Sequence, residues 1–543
     1  MAKYAGHVSR KKTPQSEAIP GKVMVQNQAG GYSFPVDNWT RLHRFLVLGN
    51  SGGSYYASER KMTKEAAQAV EDCANEDFDR TLATVVEISD QGRAPKNDEA
   101  LFALALLCSR PDPAQSGKAL AELNKVARIG THLFQFMGML SHFRGRGRAV
   151  RRAVGNWYLG RRAKNLAYQV TKYQQREGWS HRDVLRCVKP KTEDAHLDGV
   201  LAYTTGKDWR SKLPEGEARD YLNAVEQAKV VTDKRNILQL IEEHGLVREV
   251  IPTQWFKDPE VWAAMLPSMP LNAMMRNLGK MSQVGLITPM GSATQLIVSK
   301  LTDPEYIKAS RLHPFNIMNA MYTYRSGRGF RGQLSWNVDN NIGDALEDAF
   351  YMAFDNVVPT GKRHLLALDV SGSMGCAMQN SQITCRDATA ALAMVTTKTE
   401  AWTHCIGFSA KTTGRGWFQA LTPKSLLQLD FSRKMRLDTA IKKVSGLPFG
   451  GTDCSLPILY ALENKIEADA FVVYTDSETW AGNIQPVQAL EQYRQKTGIP
   501  AKLIVVGMVS NGFSIADPND AGMLDIVGFD TSAPAVMSEF IRG

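Results

Sequence analysis

The sequence predicts two unlike halves: a long array of paired α-helices, then a doubly wound, Rossmann-like α/β domain. Three observations predict this. Apolar residues recur at helical spacing through residues 37–360. At Pro359-Thr360-Gly361 the pattern changes to short apolar runs alternating with helical segments. Residues 1–361 hold 48 basic and 38 acidic residues, whereas the remainder holds 17 of each, so the whole excess behind the net charge of +10 lies in the first half.

The runs DEALFALALLCS (98–109), GKALAELNKVARIG (117–130), RDYLNAVEQAKVVT (219–232) and KRNILQLIEEHGLV (234–247) carry apolar residues three and four apart. Successive helix pairs without strands suggest a solenoid of the HEAT kind rather than a compact bundle, although no strict repeat is visible. Gly52-Gly53 and Gly145-Arg146-Gly147 mark loops. In the second half, RHLLALDV (363–370), AWTHCIGF (401–408), DAFVVYTD (469–476) and AKLIVVGM (501–508) read as buried parallel strands. ATAALAMVTTKTE (388–400) and QPVQALEQYRQK (485–496) read as helices between them. Domains are therefore expected over 1–361 and 362–543.

A chain of 543 residues exceeds what one core supports, and its 43% hydrophobic and 22% charged content is that of an ordered protein. No apolar run is long enough for a transmembrane helix, and MAKYAGHVSRKKTPQSEAIPGK lacks the apolar core of a signal peptide. Seven scattered cysteines form no CxxC pair, which argues against zinc ribbons and disulfide scaffolds. A cytoplasmic, monomeric protein without membrane attachment is expected.

Asp369-Val370-Ser371-Gly372-Ser373 follows the first strand, Thr452 lies in GGTDCS (450–455), and Asp476 ends FVVYTD. In a doubly wound sheet, ligands bind where strands end. Two carboxylates and three neutral hydroxyls there form an all-oxygen donor set suited to a hard divalent cation, Mg²⁺ above all. The arrangement resembles the metal-ion-dependent adhesion site of von Willebrand A domains, which implies Asp369, Ser371, Ser373, Thr452 and Asp476 as ligands. Such a site leaves one position for an acidic group of a protein partner, so it suggests recognition rather than catalysis. One cation site, no visible general base and no P-loop argue against an enzyme.

The densest positive stretch runs from Arg144 to Lys191, with only Glu177 and Asp183 opposing it. Arg144, Arg146 and Arg148 open it. Lys172 and Arg176, four apart, would share a helix face, and Arg182, Arg186 and Lys189 repeat that spacing. Guanidinium and ammonium groups so placed suit RNA phosphates, and interleaved Tyr173 and Trp179 could stack unpaired bases. Trp157 and Tyr168 read better as core. His181 is a candidate phosphate donor.

VTKYQQREGWSHRDVLR (170–186), MPLNAMMRNLGKM (269–281), PTGKRHLLALDVSGSM (359–374), GGTDCSLP (450–457), AKLIVVGMVSNGFSIADPNDAGMLDIVGFD (501–530) and WTRLHRFLVLGNSGGSYYASE (39–59) together resemble the Ro autoantigen (TROVE-domain) family. The resemblance implies a ring of HEAT-like repeats closed by a von Willebrand A domain. It also implies Y RNA on a basic outer face and single-stranded 3′ ends of misfolded noncoding RNAs in a central hole. Exoribonucleases are working partners of bacterial relatives. Lys172 and Arg176 match basic residues that contact Y RNA in animal members, whereas the family's nearby contact histidine is Lys189 here. The competing function is a metal-dependent protein-binding scaffold.

Overall fold

A computed structural model describes residues 12–330, 332–354, 358–409, 411–413, 420–422, 426–447 and 450–543. The first eleven residues of the basic amino-terminal stretch, which lacks the apolar core of a signal peptide, lie outside them. The chain divides into two compact units, Val70–Ala353 and a second composed of Met1–Ala69 with Phe354–Gly543.

Val70–Ala353 is almost wholly helical. Asp and Gly punctuate it as capping physics requires. Asp77 accepts from the Arg80 amide to start Phe78–Gln91, and left-handed Gly92 ends it. Asp98–Cys108 buries Leu101, Leu104 and Leu107 and packs against Gly130–Phe143. The run at 117–130 is broken: Pro113–Ala121 ends at Glu122, Leu123–Val126 is a single turn, and Gly130 opens the next helix. Glu217–Val230 and Lys234–His244 match the expected helices.

Within this unit, residues near its beginning meet residues near its end. Arg311 pairs with Asp90 at 3.0 Å, and the Asn316 amide donates to the Pro95 carbonyl at 2.9 Å. His313 Nδ1 accepts from the Phe315 amide while Nε2 meets the Arg93 carbonyl at 3.1 Å, which fixes a neutral imidazole as Nε2 donor.

Glu99, in the first turn of Asp98–Cys108, is buried, and desolvation pushes its carboxyl up to about 7. Between the ordinary glutamate value and that figure the folded state holds a proton that the unfolded state has lost, so stability rises as pH falls through this window. Glu99→Gln is expected to raise the melting temperature at pH 8 and to flatten the pH dependence between 4.5 and 7. A variant whose melting curve still tracks pH like the parent would refute this.

In the other unit, Arg363–Asp369, Trp402–Phe408, Ala470–Thr475, Lys502–Gly507 and Met523–Val527 are parallel neighbours, and Leu426–Leu429 adds an antiparallel edge. The sheet is therefore mixed. Ala470–Thr475 is buried on both faces, and Cys385–Thr399 covers the sheet with nearly every residue buried.

The amino-terminal segment is built into this unit. Tyr32–Pro35 pairs with Val25–Gln26 and with Phe513–Ser514 in a small antiparallel sheet. Arg44, 1% exposed, donates from Nη2 to both oxygens of Asp525 at 2.8 Å and from Nη1 to the Phe513 carbonyl at 2.9 Å. By packing, then, residues 12–69 belong with the α/β domain, whereas the sequence pattern groups them with the helices.

Candidate RNA interface and metal centre

The basic stretch folds as helix Arg148–Leu159, helix Ala163–Lys172, a hairpin, and helix His181–Val188. Lys172 ends its helix, and Arg176 sits in the hairpin strand Gln175–Arg176, paired with Trp179–Ser180. The two residues do not share a helix face as expected. The helix ends at Lys172 with Tyr173 as its cap, and Glu177 and Gly178, at φ of 51° and 74°, form the two-residue turn of the primed type that closes the hairpin. Ser180 then caps the next helix reciprocally with Asp183.

His181 needs a second correction. It is 2% exposed, its Nδ1 lies 2.9 Å from the Tyr158 hydroxyl, and its ring packs edge-on against Phe134 at 4.6 Å. A Cβ on Gly130 would come within 2.7 Å of its Nε2. Burial pushes its pKa down to about 3. It is a neutral core histidine and cannot reach a phosphate. Arg144 is largely spent on structure, donating to the Cys108 carbonyl and to Ser116 Oγ. Trp157 is core, as expected, beneath the Arg161 guanidinium at 3.5 Å.

Arg146, Arg148, Arg151, Arg152, Arg176, Arg182, Arg186 and Lys189 remain exposed. Arg146 lies 5.3 Å from the Trp179 ring and 3.3 Å from Cys187 Sγ, joining the 144–147 loop to both hairpin and following helix. Of the two opposing acids, Asp183 is tied to Ser180, and Glu177 meets Arg176 at 3.4 Å in open solvent. Lys172 is half-buried, with its ammonium 2.6 Å from the Tyr168 hydroxyl.

A cavity of about 980 Å³ opens elsewhere in the same unit. Lys96, Arg248, Arg276 and Lys280 line it, with Glu249 the one acid among the described lining residues. Asn272, Asn316 and Asn319 add amide groups, and Phe256 and Trp336 add rings. Nothing in the sequence spacing marks these as one surface.

In the α/β unit the donors converge at strand ends. Asp369 accepts from the Ser371 amide at 2.9 Å and from Thr475 Oγ1 at 2.7 Å. Ser371 and Ser373 hydroxyls lie 3.1 Å apart, and Ser373 bonds Asp476. The Gly372 amide meets the Gly450 carbonyl at 3.4 Å, bringing the loop of Thr452 alongside. Burial pushes Asp369 up, and burial followed by the field of Asp369 pushes Asp476 up to about 7. Among the described residues no Lys or Arg forms an ion pair with either carboxylate, and no three His, Cys, Asp or Glu gather as a metal cage. Two buried carboxylates beside neutral hydroxyls, with the buried Arg386 guanidinium acting on Asp369 but in no ion pair with it, fit a hard divalent cation. Residues missed by sequence reasoning are Thr475, adjacent to Asp476 and within reach of inspection, Glu478, and Tyr56, which bonds Ser373 from far along the chain.

The chain matches the family models described as TROVE domain, over residues 25–244 and 243–323, and Ro60 vWA domain, over residues 363–541. It is 39% identical over 537 residues to "RNA-binding protein RO60" of Deinococcus radiodurans, spanning 98% of this chain and 97% of the relative. With "RNA-binding protein RO60" of Caenorhabditis elegans it shares 34% identity over 610 residues, 98% and 92% of the two chains. The crystal structure of the Deinococcus radiodurans RO (RSR) protein superposes with a TM-score of 0.68, covering 93% of this chain and all of the other. The chain belongs to the Ro60 family, with a TROVE domain followed by a Ro60 von Willebrand A domain.

Proposed function

We propose that the protein binds structured noncoding RNA of the Y RNA class on the arginine face around His181–Val188, and takes single-stranded 3′ ends of defective RNAs into the basic cavity. The observation that carries the proposal is the run of exposed cations, from Arg146 through Lys189, whose neighbouring acids are few and already engaged. Relatives named as RNA-binding proteins support it. The cavity suits a single strand: cations follow the backbone, amides meet base edges, and rings stack bases. In this reading the protein is a non-enzymatic RNA quality-control factor that hands RNA to an exoribonuclease.

Binding of the full chain to a hairpin RNA with a single-stranded 3′ tail, compared with a blunt duplex across a salt series, tests this. Tail-dependent binding with a steep salt slope is expected. Equal, weak affinity for both RNAs would leave the cavity without its role.

A second reading concerns the α/β unit. Asp369, Ser371, Ser373, Thr452 and Asp476 would hold Mg²⁺, which when bound supplies a positive centre for an acidic group of a protein partner. The buried carboxylates Asp369 and Asp476, the first raising the second's cost of ionisation and neither in an ion pair among the described residues, favour this. Ser371→Ala with Ser373→Ala is expected to weaken Mg²⁺ binding at least about tenfold by calorimetry while sparing RNA affinity, because neutral hydroxyl ligands are lost but no cation of the RNA face is touched. Loss of RNA affinity in a folded variant would show that the two sites are not separate.

A further inference from the structure

All five proposed oxygen donors are buried, with Asp369 0%, Ser373 4% and Asp476 4% exposed. A cation that recognises an outside carboxylate needs one coordination position open to the surroundings. Here the phenol of Tyr56 lies against the site. It is half-buried, bonds Ser373, and sits within the fields of Asp476 and Glu478. Tyr55, 63% exposed, packs edge-on against it at 4.8 Å.

The segment that carries these rings turns on glycines. Gly49, Gly52 and Gly53 have φ of 65°, 89° and 71°, values at which other residues are strained. Few bonds hold it: Gly53 amide to Asn50 carbonyl at 2.9 Å, Ser54 amide to Ala57 carbonyl at 2.8 Å, and Gly52 amide to Glu59 at 3.0 Å. At its start, Gln379 donates to the Leu48 carbonyl at 2.8 Å and provides a fixed hinge point. Asn50 is 5% exposed, yet neither end of its amide has a partner among the described residues. Opening this segment to water would supply that amide with partners.

We infer that residues 49–57 form a lid whose Tyr56 phenol closes the metal site through Ser373, and that the acidic side chain of a protein partner reaches the cation only when this lid lifts. The inference rests on the cation reading above for its ligand, but the lid itself can be tested without metal. In the full chain, alkylation by iodoacetamide of the thiol introduced by Ser371→Cys reports access, and peptide mass spectrometry separates it from the seven native cysteines. Adding Tyr56→Ala is expected to speed that alkylation at least about tenfold, since reaction follows the population of the open form. Gly53→Val should do the same with the phenol intact, because a Cβ there would lie 2.6 Å from the Ala57 carbonyl oxygen. Equal rates in all three proteins, at unchanged melting temperature, would overturn the lid.

With Mn²⁺ bound, acetate serves as the probe. Tyr56→Ala is expected to bind acetate at least about tenfold more tightly than the parent, because the open fraction scales apparent affinity. Identical acetate affinities would overturn the lid as the barrier. If neither protein bound Mn²⁺, the cation reading would fail, and the alkylation rates would still decide whether Tyr56 covers the site.

Discussion

Arg176→Glu, Arg182→Glu and Arg186→Glu combined are expected to weaken structured-RNA binding about 100-fold at roughly 0.15 M salt, near 2.7 kcal/mol. The three guanidinium groups are exposed, and none is held by a buried partner. Each reversal removes a phosphate contact and adds a repelling charge, so the plot of log affinity against log salt should also flatten by about three. The contrast is with neighbours occupied by structure. His181→Gln should lower the melting temperature, because the imidazole fills a notch between Gly130 and Tyr158, and leave the salt slope alone. Filter-binding or anisotropy titrations at several salt concentrations measure both quantities. An unchanged slope in the triple variant would move the RNA off this face.

Arg44→Leu is expected to destabilise the α/β unit by about 3–5 kcal/mol, the usual range for breaking a buried ion pair from one side. The substitution leaves Asp525, in the middle of strand Met523–Val527, without its bidentate partner, and strips a donor from the Phe513 carbonyl. Urea unfolding of the full chain, followed by a probe in the α/β unit, should show an earlier transition. Arg44→Leu with Asp525→Leu should recover part of the loss, since two apolar groups replace the pair rather than orphaning a charge. If the double variant is no better than the single, the coupling between these residues is not the source of the effect.

What could be read from the sequence was local. Four parallel strands stood out because strands buried on both faces make continuous apolar runs, as Ala470–Thr475 does. Leu426–Leu429 did not, because an edge strand leaves Leu427 exposed. Met523–Val527 was hidden by Asp525, whose partner Arg44 lies at a sequence distance of 481. The residues of the candidate metal centre were legible because each sits at the end of, or directly after, an obvious strand or glycine pair. Tyr56 was not, because nothing in its own neighbourhood points to Ser373. In the basic stretch the charges were countable, but whether Lys172 and Arg176 share a helix depended on the helix ending at Lys172 and a hairpin following it. The fate of His181 depended on Phe134 and Tyr158, and packing between helices has no signature in spacing.

The pairing of the amino-terminal segment with the carboxyl-terminal strands has a consequence for how this chain is made. Gln15 bonds the Ile484 carbonyl, Asn27 that of Thr479, and Arg44 the Asp525 carboxylate, 469, 452 and 481 residues downstream. At about 5–20 residues per second, Arg44 is added to the chain roughly 25–95 s before Asp525. Throughout that interval Phe34, Leu42, Phe45 and Leu46, all buried in the finished protein, have no partner sheet to cover them. The nascent chain therefore presents a sticky apolar segment while its helices are already folding, which makes it a natural client for a holding chaperone. Seating of the Tyr56 strap must then come among the last steps of maturation.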